Sequence, residues 1–226
     1  MSRSWNNSAA GQGLRHVCSL DFIRRTHERT SSYLMHPRTI EILDYCDREA
    51  EQIRSALDAV PADRRDWRPS PTSWSTNDVI AHLAMMERRL AGIFGKVLDE
   101  AREAGLRTEA DTSPIMPKID VRRVIDRTTK LNAPDWVNPS VSASVLGWDD
   151  FMSSRNAIRD VLVKYDGLAL GDVSYPHPIL GTLDLYHWFV FIGAHGTRHA
   201  LQIREIAASM PASGTDSGGT RGTSGA

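Results

Sequence analysis

The segment His195-Gly-Thr-Arg-His199 places two histidines four residues apart. On a helix that spacing puts both imidazoles on one face, one turn apart, where they can converge on a single metal ion. The chain has 8 histidines, so the spacing alone carries little weight. Its setting carries more. At 100° per residue, Trp188, Phe191, Ile192, His195, His199, Gln202 and Ile206 share one largely apolar face. An imidazole set into a core stripe needs a hydrogen-bond partner or a metal. The stripe Val79, His82, Met86, Ile93 and Val97 repeats the anomaly, with His82 as its polar intruder. One such histidine is ordinarily a satisfied core residue. Three intruders on two stripes point instead to a three-histidine metal site, His82, His195 and His199, of the kind helical bundles build from inward side chains on facing helices. Three imidazoles do not choose among zinc, nickel, iron and copper.

The other candidates are weaker. His177, in Tyr175-Pro-His-Pro178, suits a turn or surface role beside a possible one near the metal, and His187 lies about 80° from His195, toward the rim. Gln202 can reach a ligand or solvent, and Arg198 reads as a surface salt-bridge residue. Met85 and Met86 read as packing, Trp67 and Trp74 as cover for the bundle end, and Cys46 as core. A phosphate-binding glycine loop after a strand, a Gly-x-Ser-x-Gly elbow and a His-Glu-x-x-His helix are all missing; position 196 is glycine where the last would need its glutamate.

Four long helices are expected to position these residues. The first runs from Pro37, which suits the first helical position, to Val60, with Ile42, Cys46, Ala50, Ile53, Leu57 and Val60 inward. The second runs from Ser75 to Ala104, capped by Ser75 with Asp78 three residues on, and with Trp74 and Val79 placed as a hydrophobic staple. The third covers Trp148 to Asp166, with Trp148, Phe151, Ile158, Val161, Leu162 and Tyr165 inward, and the fourth follows Thr182 to Met210. The connections 61–74 and 106–147 are long enough to cross a helix length, so consecutive helices need not be antiparallel. The expected fold is all-α, a four-helix bundle with long crossovers over residues 35–210. Residues 1–34, with five arginines, read as a flexible extension or as the product of a start upstream of Met35, with a basic targeting peptide as a further alternative. Residues 211–226, rich in Gly, Ser and Thr, read as disordered.

Composition excludes several classes. A net charge of −1 gives no global field for nucleic acid or an anionic membrane. Cys18 and Cys46 form no Cys-x-x-Cys pair, which argues against thiolate zinc and dithiol redox chemistry and fits a reduced, cytoplasmic setting. The longest uncharged apolar stretch, Leu185 to Ala194, is about half of the ~20 residues a membrane span needs. No apolar segment follows Arg3, so no secretory signal is expected.

Trp74-Ser-Thr-Asn-Asp-Val-Ile-Ala-His82-Leu resembles the entry to the second helix in the DinB-like metalloprotein family. His177-Pro, Gly181-Thr-Leu-Asp-Leu-Tyr-His-Trp188 and His195-Gly-Thr-Arg-His199-Ala-Leu-Gln202-Ile203 resemble its last helix. The resemblance spans about residues 36–209 and implies a four-helix bundle, often a homodimer. It also implies one divalent zinc, nickel or iron ion on a histidine triad that maps to His82, His195 and His199. Relatives of this kind include S-transferases that use low-molecular-weight thiols, and metal-dependent hydrolases. Transfer of a small thiol to an electrophilic small molecule is therefore the leading expectation. Hydrolysis and a non-catalytic metal- or ligand-binding bundle stand as alternatives.

Overall fold

The computed structural model describes residues 35–129, 133–139 and 146–211. The expected N-terminal extension and all of the Gly/Ser/Thr-rich tail but Pro211 lie outside the described residues. Four long helices stand where the periodicity puts them: α1 (Pro37–Asp58), α2 (Thr76–Glu103), α3 (Trp148–Lys164) and α4 (Leu185–Ser209). Pro37 opens α1, and the His36 side chain accepts a hydrogen bond from the Arg38 N–H. Ser75 caps α2 through a reciprocal capping box with Asp78, whose carboxylate accepts the Ser75 N–H at 2.7 Å.

Helix α4 begins later than its pattern suggests. Residues 181–184 pair instead with 174–177 as an antiparallel ribbon, β1 (Ser174–His177) and β2 (Gly181–Asp184), turned at Gly181 with φ +80°. Pro176 hid the first strand. Proline is barred from sheet interiors, but a two-stranded ribbon is all edge and tolerates it. Asp184 ends the ribbon and caps α4 by accepting the His187 N–H at 2.9 Å. The crossover between α2 and α3 holds short turns at Met116–Lys118, Arg122–Ile125 and Asp135–Val137. Its first part is fastened by Arg38, buried among Glu109, Asp111 and the Ser113 carbonyl, and by Glu41, which accepts the Ile115 and Met116 N–H groups. No helix among the described residues is long and apolar enough to cross a membrane.

The dominant contacts pair α2 with α3 and α1 with α4. The apolar interior forms two clusters. One gathers Ile42, Phe94, Leu98, Ile158, Leu162 and Phe189; the other gathers Ile53, Leu57, Val79, Leu83, Phe151 and Ile203. Helices α1 and α4 meet the first cluster before the second, whereas α2 and α3 meet them in the opposite order. So α2 and α3 run parallel to each other, and the long 106–147 crossover is what permits this. Between the clusters each helix contributes polar residues: Glu49 from α1, Glu87 from α2, Arg155 from α3 and His195 and His199 from α4. Arg155 and Glu87 are 1% and 0% exposed and form a two-pronged ion pair at 2.7 and 2.6 Å, and the Arg155 Nη1 donates to the Cys46 carbonyl at 2.7 Å.

Candidate metal centre

The two-cluster core leaves a polar layer across the bundle, and the histidines belong to it. On α2 the buried stripe is centred on Leu83, Glu87, Leu90, Phe94 and Leu98 rather than on His82, Met86, Ile93 and Val97. Met86, Ile93 and Val97 are only partly buried. The apolar residues of α2 cover more than one face, so the pattern fixed the axis of its buried side only loosely. The correction explains the site: His82 stands at the flank of the core stripe, turned toward α4.

The three Nε2 atoms converge. His82 Nε2 lies 3.5 Å from His195 Nε2, which lies 3.0 Å from His199 Nε2, and all three ligand atoms fall within 4.8 Å of one another. Imidazole nitrogens ~2.0–2.1 Å from a tetrahedral zinc ion are about 3.4 Å apart. The spacing therefore suits a shared ion. His82 and His199 are 4% and 5% exposed, and the Trp74 ring lies against both, with centroids at 4.9 and 6.3 Å.

The outer nitrogens settle which way the lone pairs face. His82 Nδ1 is 2.8 Å from the Val137 carbonyl oxygen, which can only accept, so the ring hydrogen sits on Nδ1. His199 Nδ1 is likewise 2.8 Å from Gln202 Oε1, an oxygen that also accepts from Arg127 at 3.4 Å. Both rings thus turn bare Nε2 lone pairs inward. His195 Nδ1 is buried with no hydrogen-bond partner among the described residues. All three rings are held in the neutral form. Burial pushes His82 down to about 4, partly opposed by the Val137 carbonyl, and burial followed by neighbouring imidazoles holds His195 and His199 well below the ordinary histidine range. The bare Nε2 lone pairs of His82 and His199 both face His195 Nε2, 3.5 and 3.0 Å away, an arrangement that a shared cation would satisfy. The donor set fits a divalent ion, and this grouping could hold one.

The remaining candidates fall around the triad. Gln202 holds His199, as one of its two readings allowed. His187 bonds Asp184 at 2.8 Å beside the α4 cap and stays out of the triad. His177 accepts two backbone N–H groups in the hairpin turn. Cys46 is buried core, and Trp67 and Trp74 pack on the second apolar cluster. Arg198 corrects its surface reading: it is 6% exposed and donates to the carbonyls of Val124, Asp126 and Thr129, fastening the crossover to α4. A guanidinium with five donors can satisfy loop carbonyls that no helix serves, and no sequence signal marks that use. The Val137 carbonyl was equally invisible, because any residue offers one. Arg155 and Glu87 could have been found: each sits four residues after and three before a core apolar residue, Phe151 and Ile158 for one, Leu83 and Leu90 for the other.

The sequence profile of the DinB superfamily matches residues 45–203. The chain is 25% identical over 161 residues to the uncharacterized protein YuaE of Bacillus subtilis (strain 168), a match covering 66% of this chain and 87% of YuaE. No solved structure matches the chain.

Proposed function

The chain belongs to the DinB superfamily, and on that premise we propose that it is a metal-dependent enzyme that transfers a low-molecular-weight thiol to an electrophilic small molecule. His82, His195 and His199 hold the ion, which is zinc, nickel or iron. The observation that carries this reading is the convergence of three neutral Nε2 atoms, two of them locked in orientation by Val137 and Gln202. Such outer partners hold a ligand ring in one tautomer and typically account for 10–100-fold in metal affinity, to order of magnitude. A bound divalent ion supplies a concentrated positive charge that favours the deprotonated form of a thiol at neutral pH. Trp74 excludes water from one flank of the triad.

Two features weigh against the alternatives. The grouping offers three protein donors among the described residues, the number found in catalytic zinc sites, whereas structural sites normally take four. It also contains no carboxylate to serve as the general base that hydrolysis needs. Of the nearby acids, Glu87 is tied to Arg155 and Glu49 to Gln52 and Thr197.

Elemental analysis of the purified protein beside a His195→Ala variant tests the site. The native form should carry near one equivalent of a transition metal and the variant much less; equal content in both removes the assignment. Cobalt-substituted protein should then show a thiol-to-metal charge-transfer band with a cellular thiol. Chelator-sensitive turnover of an ester or amide panel without that band would select hydrolysis. Loss of folding on metal removal, with neither response, would select a structural ion.

A further inference from the structure

Gln202 accepts the His199 Nδ1 hydrogen through Oε1 at 2.8 Å. An amide side chain has two ends of nearly the same shape, an oxygen that accepts and an NH2 that donates. With the oxygen toward His199, the ring hydrogen sits on Nδ1 and Nε2 is bare. With the NH2 there, Nδ1 must accept and the hydrogen moves to Nε2. The atom that faces His195 Nε2 at 3.0 Å is then closed to a metal ion. Nothing in the His199–Gln202 pair itself chooses between these states, because a neutral imidazole can serve either end of an amide.

The choice is made from outside α4. Arg127, just after the short turn Arg122–Ile125 of the crossover, directs Nη1 at the same Gln202 oxygen, 3.4 Å away. A guanidinium only donates, so a Gln202 turned to present its NH2 would set donor against donor at Arg127. The guanidinium is not free to turn aside. Glu205, three residues beyond Gln202 on α4, holds its other edge, accepting from Nε at 3.3 Å and from Nη2 at 2.7 Å. The backbone around Arg127 is held as well. Arg198 donates to the carbonyls of Val124, Asp126 and Thr129, and the Asp126 carboxylate accepts the Thr128 N–H at 2.8 Å. Arg198 directly precedes His199, so the residue that anchors the crossover adjoins the ring that the crossover orients.

We propose that Arg127 is a positioning residue of the metal centre: braced by Glu205, it fixes the orientation of the Gln202 amide and so selects the His199 tautomer whose Nε2 is open to the ion. Arg127 acts through Gln202. The crossover then orients two of the three rings, His82 by the Val137 carbonyl and His199 by the Arg127 guanidinium. This rests on the metal-centre reading above.

A second substitution separates orientation from mere fastening of the crossover. A glutamate at 202 has an acceptor oxygen at both ends, so Gln202→Glu removes the ambiguity that Arg127 resolves. Metal-free proteins are titrated with cobalt(II), following the visible bands. Arg127→Met should bind cobalt about tenfold more weakly than the parent, the low end of what the outer partners of metal ligands carry. Arg127→Met/Gln202→Glu should bind within about twofold of Gln202→Glu alone, the scatter expected of uncoupled changes. An equal loss from Arg127→Met in both backgrounds means that Arg127 only fastens the crossover, and overturns the proposal. So does parental affinity in Arg127→Met, and either result leaves the metal centre standing. A parent protein that takes up no cobalt overturns both readings. Two-bond 1H–15N spectra of the metal-free proteins read the tautomer independently. The parent His199 should carry its hydrogen on Nδ1 and Arg127→Met should show a mixture; a parent hydrogen on Nε2, or no change in the variant, refutes the proposal whatever the metal does.

Discussion

Replacing Arg155 by methionine strands the Glu87 carboxylate in the polar layer. Glu87 is 0% exposed, and Arg155 supplies both hydrogen bonds to its carboxylate, at 2.7 and 2.6 Å. Burial pushes the Glu87 carboxyl up from its ordinary range, and the Arg155 charge is the opposing influence. Removing one member of a buried pair costs about 3–5 kcal/mol, because the survivor must be neutralised or left unsolvated. For a chain of this size, with roughly 2–4 °C of Tm per kcal/mol, that is a loss of about 6–20 °C. Glu87→Leu should cost a similar amount, since it leaves the guanidinium with only the Cys46 carbonyl. The double variant Glu87→Leu/Arg155→Met restores an apolar layer between two apolar clusters and should lie far closer to the parent than the sum of its parts. The measurement is urea denaturation followed by circular dichroism on metal-free protein, so that ion binding does not enter the balance. Either single variant within about 1 kcal/mol of the parent would refute the reasoning. So would a double variant as unstable as the sum, because the pair would then not be coupled.

The metal-free protein should also lose stability in acid, in a window set by the triad. His82 titrates at about 4 in the folded chain against an ordinary 6.5, so the unfolded state binds more protons between those values. The contribution is complete above pH ~6.5 and lost as pH falls toward ~4, amounting to about 3 kcal/mol for His82 alone, with His195 and His199 acting in the same direction. Urea midpoints measured from pH 7.5 down to 4.5 should fall steadily, and a flat profile would count against the buried neutral triad. Gly193→Ala should destabilise by about 1–2 kcal/mol, since the added methyl would stand 2.5 and 2.9 Å from ring atoms of buried Tyr45, and the better helix propensity of alanine offsets only part of this. A variant more stable than the parent in the same denaturation assay would show that α1 and α4 can part enough at Tyr45 to admit the methyl group.

The helices, the capping of α2 and the pairing of His195 with His199 on one helix face were legible along the chain. Those are local matters: Ser75 with Asp78, Pro37 at a helix start and His195 with His199 act through neighbours three or four residues away, where spacing along the chain dictates spacing in space. Tertiary structure alone decided the rest. Which side of α2 faces the core depends on what packs against it, so the inward stripe moved from Met86 and Ile93 to Glu87, Leu90 and Phe94. The carbonyl that orients His82 comes from Val137, 55 residues away, and the donors that fasten the crossover come from Arg198. Backbone carbonyls are the same at every position, so composition cannot mark the one that docks. The convergence of the three Nε2 atoms belongs to no single segment, because it exists only once α2 and α4 have met.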